Sequence, residues 1–288
     1  MIDGLLMIGG GIAAGLFGSL LGLGGGILIV PLLTLGFGLA LIKAVGISLV
    51  CVIVTSGAAA GVYLERRVAN LRLGMTLELF TASGALVGGL IAFLLPPRLL
   101  ELLFGGLLVY VALTMARRRE PARSTTDTPV RSDSDDPETT DDANDSVDTT
   151  TAADSSFAAT LSGPGYHVHR LGFGIVGSLV AGVVSALLGI GGGLVKVPVM
   201  HVVMGVPLRV ATATSNLMIG ITASASAIIY LLRGGIDPYI AAPTAIGVFV
   251  GASIGSRAAH RIDLRVLRGL FVVILLYTAW QMLQRALA

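Results

Sequence analysis

Long apolar stretches alternate with short polar or glycine-rich breaks along most of the chain. Their lengths approach the roughly 17–25 residues that a helix needs to cross a membrane core. The pattern predicts helical segments at matching places in both halves. They are Gly4–Leu21, Ile27–Leu39, Ala44–Leu64, Leu73–Leu95 and Leu99–Ala116, then Leu171–Leu188, Leu194–Val206, Ala211–Leu232, Tyr239–Ala259 and Leu264–Leu283. We therefore predict an all-α polytopic membrane protein.

The second half repeats the first. The segment from Leu20 to Pro31 returns as the segment from Leu187 to Pro198. The register then holds without a gap for about a hundred residues, with roughly thirty identities, more than shared apolar composition explains. We predict two homologous repeats, each with a glycine-broken first helix followed by three spans.

An acidic segment separates the two repeats. It holds eleven of the seventeen acidic residues of the chain and almost no large apolar side chain. Such a composition cannot bury a core and predicts disorder. The predicted organisation is residues 1–116 as the first membrane repeat, 117–170 as a disordered cytoplasmic linker and 171–288 as the second membrane repeat. With 54% hydrophobic and 12% charged residues, the chain is far more apolar than soluble domains are.

The basic residues predict how the repeats lie in the membrane. If each half crosses an odd number of times, the second copy is inverted, and only Lys43, Arg98, Arg233 and Arg285 lie opposite the other basic loop residues. An even number splits the same charges roughly eleven to seven. The positive-inside rule therefore favours inverted repeats, with both termini extracytoplasmic and the linker cytoplasmic.

Two glycine runs are the strongest candidates for a binding site. Glycine tolerates non-helical geometry, and unwound backbone in a bilayer is expected only inside protein or along an aqueous cavity. The short helices that follow would direct their positive ends at that cavity, which favours an anion. The predicted residues are Gly22, Gly24, Gly25 and Gly26 in the first run, and Gly189, Gly191, Gly192 and Gly193 in the second. The alternative is close helix packing through small residues.

Three ionisable residues in or near the apolar segments are further candidates. Lys196 follows the second glycine run and has Ile29 as its counterpart, so we expect it to be a counter-charge for an anion, or else a side chain that snorkels to the interface. Glu78 is a candidate proton carrier, or else a rim residue near Arg72. His201 could also titrate, or could simply lie at the end of its segment.

Hydroxyl and amide groups cluster where the span after the second short helix begins. Thr214, Ser215 and Asn216 lie there, and Ser48 is the counterpart of Ser215. These groups could donate hydrogen bonds to an oxyanion without adding charge. Helix capping and interhelical hydrogen bonds are the alternative roles.

The motifs of several other functional classes are missing from the sequence. There is no phosphate-binding loop, no His-Glu-x-x-His segment and no Gly-x-Ser-x-Gly elbow. Basic residues do not form an aromatic-rich patch, so nucleic acid is not an expected partner. The single cysteine, Cys51, excludes an internal disulfide and a cysteine metal cluster. We expect no enzyme activity, no cofactor and no metal, with a small anion and the lipid bilayer as the partners.

The doubled Leu-Gly-Leu/Ile-Gly-Gly-Gly-x-x-x-Val-Pro run, Ala211–Asn216 and Arg233–Asp237 resemble the sulfite exporter TauE/SafE family, also called TSUP. The resemblance covers both halves, and the acidic linker is an unusual insertion. It implies a multi-pass plasma-membrane permease for small anions such as sulfite, sulfoacetate or related sulfonates. A secondary anion transporter is the predicted function. A passive anion channel, or a membrane enzyme or sensor, is the alternative.

Overall fold

The structure, a computed structural model, describes residues 2–21, 25–65, 70–117, 168–258 and 264–287. The regular structure in these ranges is helical throughout. The helices are α1 (Ile2–Leu21), α2 (Gly26–Pro31), α3 (Leu41–Glu65), α4 (Leu71–Leu94), α5 (Pro97–Arg117), α6 (Leu171–Leu188), α7 (Gly193–Pro198), α8 (Leu208–Leu232), α9 (Pro238–Ala258) and α10 (Leu264–Leu287). The all-α prediction is confirmed.

Six of the described helices are long and apolar enough to cross a membrane. They lie at Leu71–Leu94, Pro97–Ala116, Leu171–Leu188, Val210–Leu232, Pro238–Gly255 and Gly269–Leu287. Large apolar side chains such as Leu79, Val87 and Trp280 remain exposed on their outer faces. Exposed apolar surface of this extent fits contact with lipid. The predicted acidic linker lies outside the described residues apart from its two ends.

The two short helices, α2 and α7, each change geometry at a proline. Beyond Pro31 the chain continues as a π-helical turn over Leu32–Gly36, and beyond Pro198 it does so over Val199–Val203. A proline removes one amide donor and crowds the carbonyl four residues earlier, so the regular hydrogen-bond ladder is interrupted there. The single short helices predicted from the sequence are therefore each divided in two.

Glycines allow two pairs of helices to pack backbone to backbone. Helix α1 packs against α9, and α4 packs against α6. A Cβ atom at Gly15 would press on the carbonyl of Val248, and one at Gly182 would press on the carbonyl of Thr81. In the register that aligns Leu20 with Leu187, these two contacts are counterparts. A repeat would produce paired contacts of this kind. The repeat and its inversion remain predictions.

Helices α3 and α8 pack against each other, and α8 also holds the end of α6. Tyr230 of α8 is fully buried and donates its hydroxyl hydrogen to the carbonyl of Ala186 on α6 at 2.9 Å. Its ring lies 5.0 Å from that of Phe93, between ring centroids. Helices α6 and α8 are thereby joined just before α6 ends at the second glycine run.

Candidate functional site

The second glycine run turns the chain between α6 and α7. Gly189, Gly191 and Gly192 have φ values of 69°, 80° and 75°, in the left-handed region that side chains disfavour. Gly25, which precedes α2, has a φ of 76°. The expected departure from helical geometry is present at Gly25, Gly189, Gly191 and Gly192, whereas Gly26 and Gly193 begin α2 and α7. Gly22 and Gly24 lie outside the described residues.

The two glycine runs lie against each other, and Ser48 of α3 joins them. Its hydroxyl donates to the carbonyl of Gly189 at 2.8 Å, and the carbonyl of Gly26 lies 3.2 Å from the same oxygen. A Cβ atom at Gly26 would lie only 2.7 Å from the carbonyl oxygen of Gly189. The structure thus brings together Ser48, Gly26 and Gly189, which the sequence singled out separately.

A buried ion pair lies beside the second run. The ammonium of Lys196 on α7 donates to Oε2 of Glu78 on α4 at 2.8 Å and to Oγ1 of Thr222 on α8 at 2.6 Å. The hydroxyl of Thr222 lies 2.6 Å from Oε1 of Glu78. The three side chains form a closed ring of hydrogen bonds, here called the Lys196–Glu78–Thr222 cluster. It connects the first half of the chain to the second.

Both charges of the cluster are withdrawn from the surface. Lys196 is 1% exposed and Glu78 is 4% exposed. Lys196 therefore does not snorkel to an interface, and Glu78 is not a rim residue beside Arg72, which is exposed. Buried charges persist when they are paired and their remaining polar atoms are hydrogen-bonded, as both carboxylate oxygens of Glu78 are here.

The positions that align with the cluster hold no charged residue. Ile29 aligns with Lys196 and Ala245 with Glu78, and both are buried. Thr55 aligns with Thr222, and its hydroxyl donates to the carbonyl of Val52 at 3.1 Å. The helices are arranged in similar pairs, whereas the ion pair occurs at one of the two aligned places.

Two buried hydroxyls flank the start of α7. Ser185 Oγ and Ser215 Oγ have no hydrogen-bond partner within the described part of the chain. A Cβ atom at Gly192 would lie 3.3 Å from Ser185 Cβ and 3.6 Å from Lys196 Cε. One at Gly193 would lie 3.5 Å from Ser215 Oγ. The Ser185 side chain therefore lies near the Lys196 stem, and the Ser215 hydroxyl lies beside the start of α7. Both hydroxyls can donate to an added oxyanion.

The remaining predicted residues take up other positions. The Thr214 hydroxyl accepts from the amide of Asn70 at 3.0 Å, and the Asn216 carbonyl accepts from the Ser56 hydroxyl at 3.2 Å. These contacts match the interhelical alternative for Thr214. His201 is exposed, with Nδ1 2.9 Å from the carbonyl of Val206. It is not a member of the cluster.

Sequence reasoning missed Thr222 and Ser185 as site residues. Thr222 was visible only as the repeat partner of Thr55, and Ser185 aligns with Gly18, a small residue with no polar group. Neither signal indicates a role. Among the described residues, no group of three or more His, Cys, Asp or Glu side chains could hold a metal ion.

Comparison with known proteins identifies the family. The sequence model of the family described as sulfite exporter TauE/SafE matches residues 7–282, nearly the whole chain. The chain belongs to the TauE/SafE family. The family resemblance inferred from the glycine runs is confirmed, and the protein is a membrane transporter.

Similar curated proteins agree with the TauE/SafE assignment. The probable membrane transporter protein YunE of Bacillus subtilis (strain 168) is 24% identical over 280 residues, which cover 95% of this chain and 94% of YunE. The probable membrane transporter protein MamO of Magnetospirillum gryphiswaldense is 28% identical over 113 residues, 36% of this chain and 18% of MamO. No solved structure matches the chain significantly.

In this TauE/SafE protein, we expect the stability to depend strongly on whether Lys196 and Glu78 are both charged or both neutral. Lys196→Met should destabilise the protein by about 3–5 kcal/mol, because it leaves the Glu78 carboxylate buried and unpaired. Adding Glu78→Gln to Lys196→Met should recover most of that loss, because no buried charge remains. Thermal unfolding in detergent, followed by size-exclusion chromatography of heated samples, measures both effects.

Lys43→Met is the matched control, because Lys43 is the other lysine of the chain and is exposed. It should unfold like the unaltered protein. If the Lys196 and Lys43 variants are equally stable, or if the double variant is no better than Lys196→Met alone, the ion pair is not formed.

Proposed function

We propose that the protein is a secondary transporter of small anions, with sulfite, sulfonates or related sulfur-containing or organic anions as substrates. The observation that carries this proposal is the buried ammonium of Lys196 beside the second glycine run. A cation inside a membrane protein is costly to maintain and is a functional candidate by default. The family description supports the sulfur-containing class of anion.

The surroundings of Lys196 support binding of an oxyanion. The hydroxyls of Ser185 and Ser215 are buried and without a partner among the described residues, so they can donate to the anion oxygens. A Cβ atom at Gly192 would lie 3.3 Å from Ser185 Cβ and 3.6 Å from Lys196 Cε, so the backbone of Gly192 belongs to the same region. We assign the anion to this region, with Lys196 as its counter-charge.

Anion transport is tested by counterflow in proteoliposomes. Vesicles loaded with unlabelled sulfite, sulfoacetate or methanesulfonate should take up the labelled anion faster than empty vesicles do, and the initial rate should saturate. A carrier has a limited number of binding sites, so its rate saturates. It also returns to the outside faster with an internal anion bound than without one. A flux that neither saturates nor responds to the internal anion would indicate the passive channel instead. No flux of any of the three anions would contradict the substrate assignment.

The role of Lys196 is tested by variants made in a Glu78→Gln background and compared at equal amounts of monodisperse reconstituted protein, because Glu78→Gln alone leaves the ammonium buried and unpaired. There Lys196→Met leaves no unpaired charge, and its half-saturation concentration should rise more than tenfold, equivalent to about 1.4 kcal/mol. Lys196→Arg should bind better than Lys196→Met, since it keeps the charge. Ile29→Met, at the aligned position of the first repeat, controls for bulk. Unaltered half-saturation with Lys196→Met would leave the hydroxyls and backbone as the binding groups.

We also propose that the protein lies in the cell membrane with both termini outside and the acidic linker in the cytoplasm. The distribution of Lys and Arg in the loops supports this orientation. A reporter active only in the cytoplasm should work when inserted near Asp135 and fail at either terminus. Termini on opposite sides of the membrane would contradict the inverted repeat.

A further inference from the structure

The Lys196–Glu78–Thr222 cluster carries no net charge. Lys196 and Glu78 are the charged side chains that are buried among those described, and they are hydrogen-bonded directly to each other. We propose that Glu78 takes up one proton for each monovalent anion that binds Lys196, so that the transporter moves the two together without net charge. This inference rests on the anion transport proposed above and identifies its coupling ion.

Charge balance inside the membrane favours binding of a proton together with the anion. A monoanion added to the neutral pair would leave one uncompensated negative charge in a poorly solvated site, which costs several kcal/mol. Protonation of Glu78 removes that charge. Lys196 and the anion then form the buried pair in place of Lys196 and Glu78. The site is then neutral both when it is empty and when it holds the anion. A neutral site avoids the cost of an uncompensated charge in a low-dielectric region.

Among the side chains that the structure describes, Lys196 is the charged group that contacts Glu78. Helix α4 packs against α6 and α8. Helix α6 has no ionisable side chain, and Tyr230 of α8 is bonded to a backbone carbonyl instead. Arg209 precedes Thr222 on α8 by more than three helical turns. On α4 itself, Arg72 is exposed and about 9 Å away along the helix axis.

The exchange at the site is a proton transfer with one change of partner. A proton from water binds Oε2 of Glu78, and the hydrogen bond from the Lys196 ammonium to that oxygen breaks. The ammonium keeps its three protons and donates to an anion oxygen instead. On release, the anion leaves, the proton returns to water on the other side, and the bond between Lys196 and Glu78 forms again.

Thr222 can remain hydrogen-bonded in both states. Its hydroxyl oxygen lies 2.6 Å from Oε1 of Glu78 and 3.1 Å from the carbonyl of Met218, one turn earlier on α8. When Glu78 becomes neutral and its acceptor strength falls, the hydroxyl can donate to Met218 without becoming an unsatisfied buried donor. Thr222 is therefore a positioning residue: its hydrogen bond stabilises the carboxylate of Glu78, and its second acceptor keeps the hydroxyl satisfied when Glu78 is neutral.

The residues aligned with the charged pair set the stoichiometry. Ile29 of the first half aligns with Lys196, and Ala245 of the second half aligns with Glu78, so the aligned positions hold no second exchangeable ion pair. One carboxylate serving one ammonium gives one proton for each monoanion.

The test uses the full-length protein in proteoliposomes with labelled methanesulfonate, a monoanion at every pH used, and with labelled sulfite. When the pH outside the vesicles is one unit lower than the pH inside, methanesulfonate should accumulate inside about tenfold at equilibrium. A potassium diffusion potential without a pH gradient should drive none. A pH dye inside the vesicles should report acidification during uptake.

Three variants test the residues in these roles. Glu78→Gln leaves the Lys196 ammonium unpaired, so it is compared with the unaltered chain at equal amounts of monodisperse reconstituted protein. It should lose accumulation driven by the pH gradient, and the pH profile of its anion exchange should be flat. Thr222→Val should shift the midpoint of the pH profile, and Thr222→Ser should restore it. Thr55→Val, at the position of the first half that aligns with Thr222, should keep the unaltered profile.

Failure of this inference is distinguishable from failure of the proposed function. If neither methanesulfonate nor sulfite is exchanged, anion transport itself is overturned, and the coupling with it. A second outcome would overturn the proton coupling alone. In it, exchange proceeds, but accumulation of the anion is driven by membrane potential or a sodium gradient and not by the pH gradient. A Glu78→Gln protein that still accumulates anion with the pH gradient would also overturn it.

Discussion

The contact between Lys196 and Glu78 is the constraint on which the interior of this protein depends. Two opposite charges lie beyond the reach of solvent, and each is tolerable there only while the other is in place. Because the two residues belong to different halves of the chain, the pair also fixes α7 against α4. Thr222 closes the ring from α8. An anion that enters this region must therefore replace one of these interactions, which links substrate binding directly to the packing of three helices.

The glycine contacts between helices occur in aligned pairs in this fold, whereas the charged cluster does not. The glycine contacts of α1 with α9 have counterparts in those of α4 with α6, and the two glycine runs meet at Ser48. Such paired elements suit a protein that alternates between two similar arrangements. The charged cluster is confined to one of the aligned places. A duplicated scaffold with a single charged site would let the same helices move around one substrate position.

The helices and glycine runs could be predicted because their signals are local: apolar length, periodicity and glycine spacing within a few residues. Lys196 and Glu78 could each be identified as unusual for the same reason. Their contact could not, because the two residues are 118 positions apart and no pattern within either segment refers to the other. The division of the short helices at Pro31 and Pro198 depends on hydrogen-bond geometry that apolar periodicity does not encode. Ser185 was missed because a serine in an apolar helix is common, and only the fold brings it near Lys196.

The central claim is that the ammonium of Lys196 is bonded to the carboxylate of Glu78 within the membrane protein. The chain contains just two lysines, Lys43 and Lys196, so labelling lysine with ¹⁵N gives a spectrum with two side-chain signals. Solid-state NMR of the protein in lipid, with ¹³C in the glutamate carboxyls, measures the dipolar coupling between Nζ and Cδ directly. The account predicts one lysine signal with strong coupling to a glutamate carboxylate, lost in Glu78→Gln, and one without it. Two signals that both lack this coupling would contradict it.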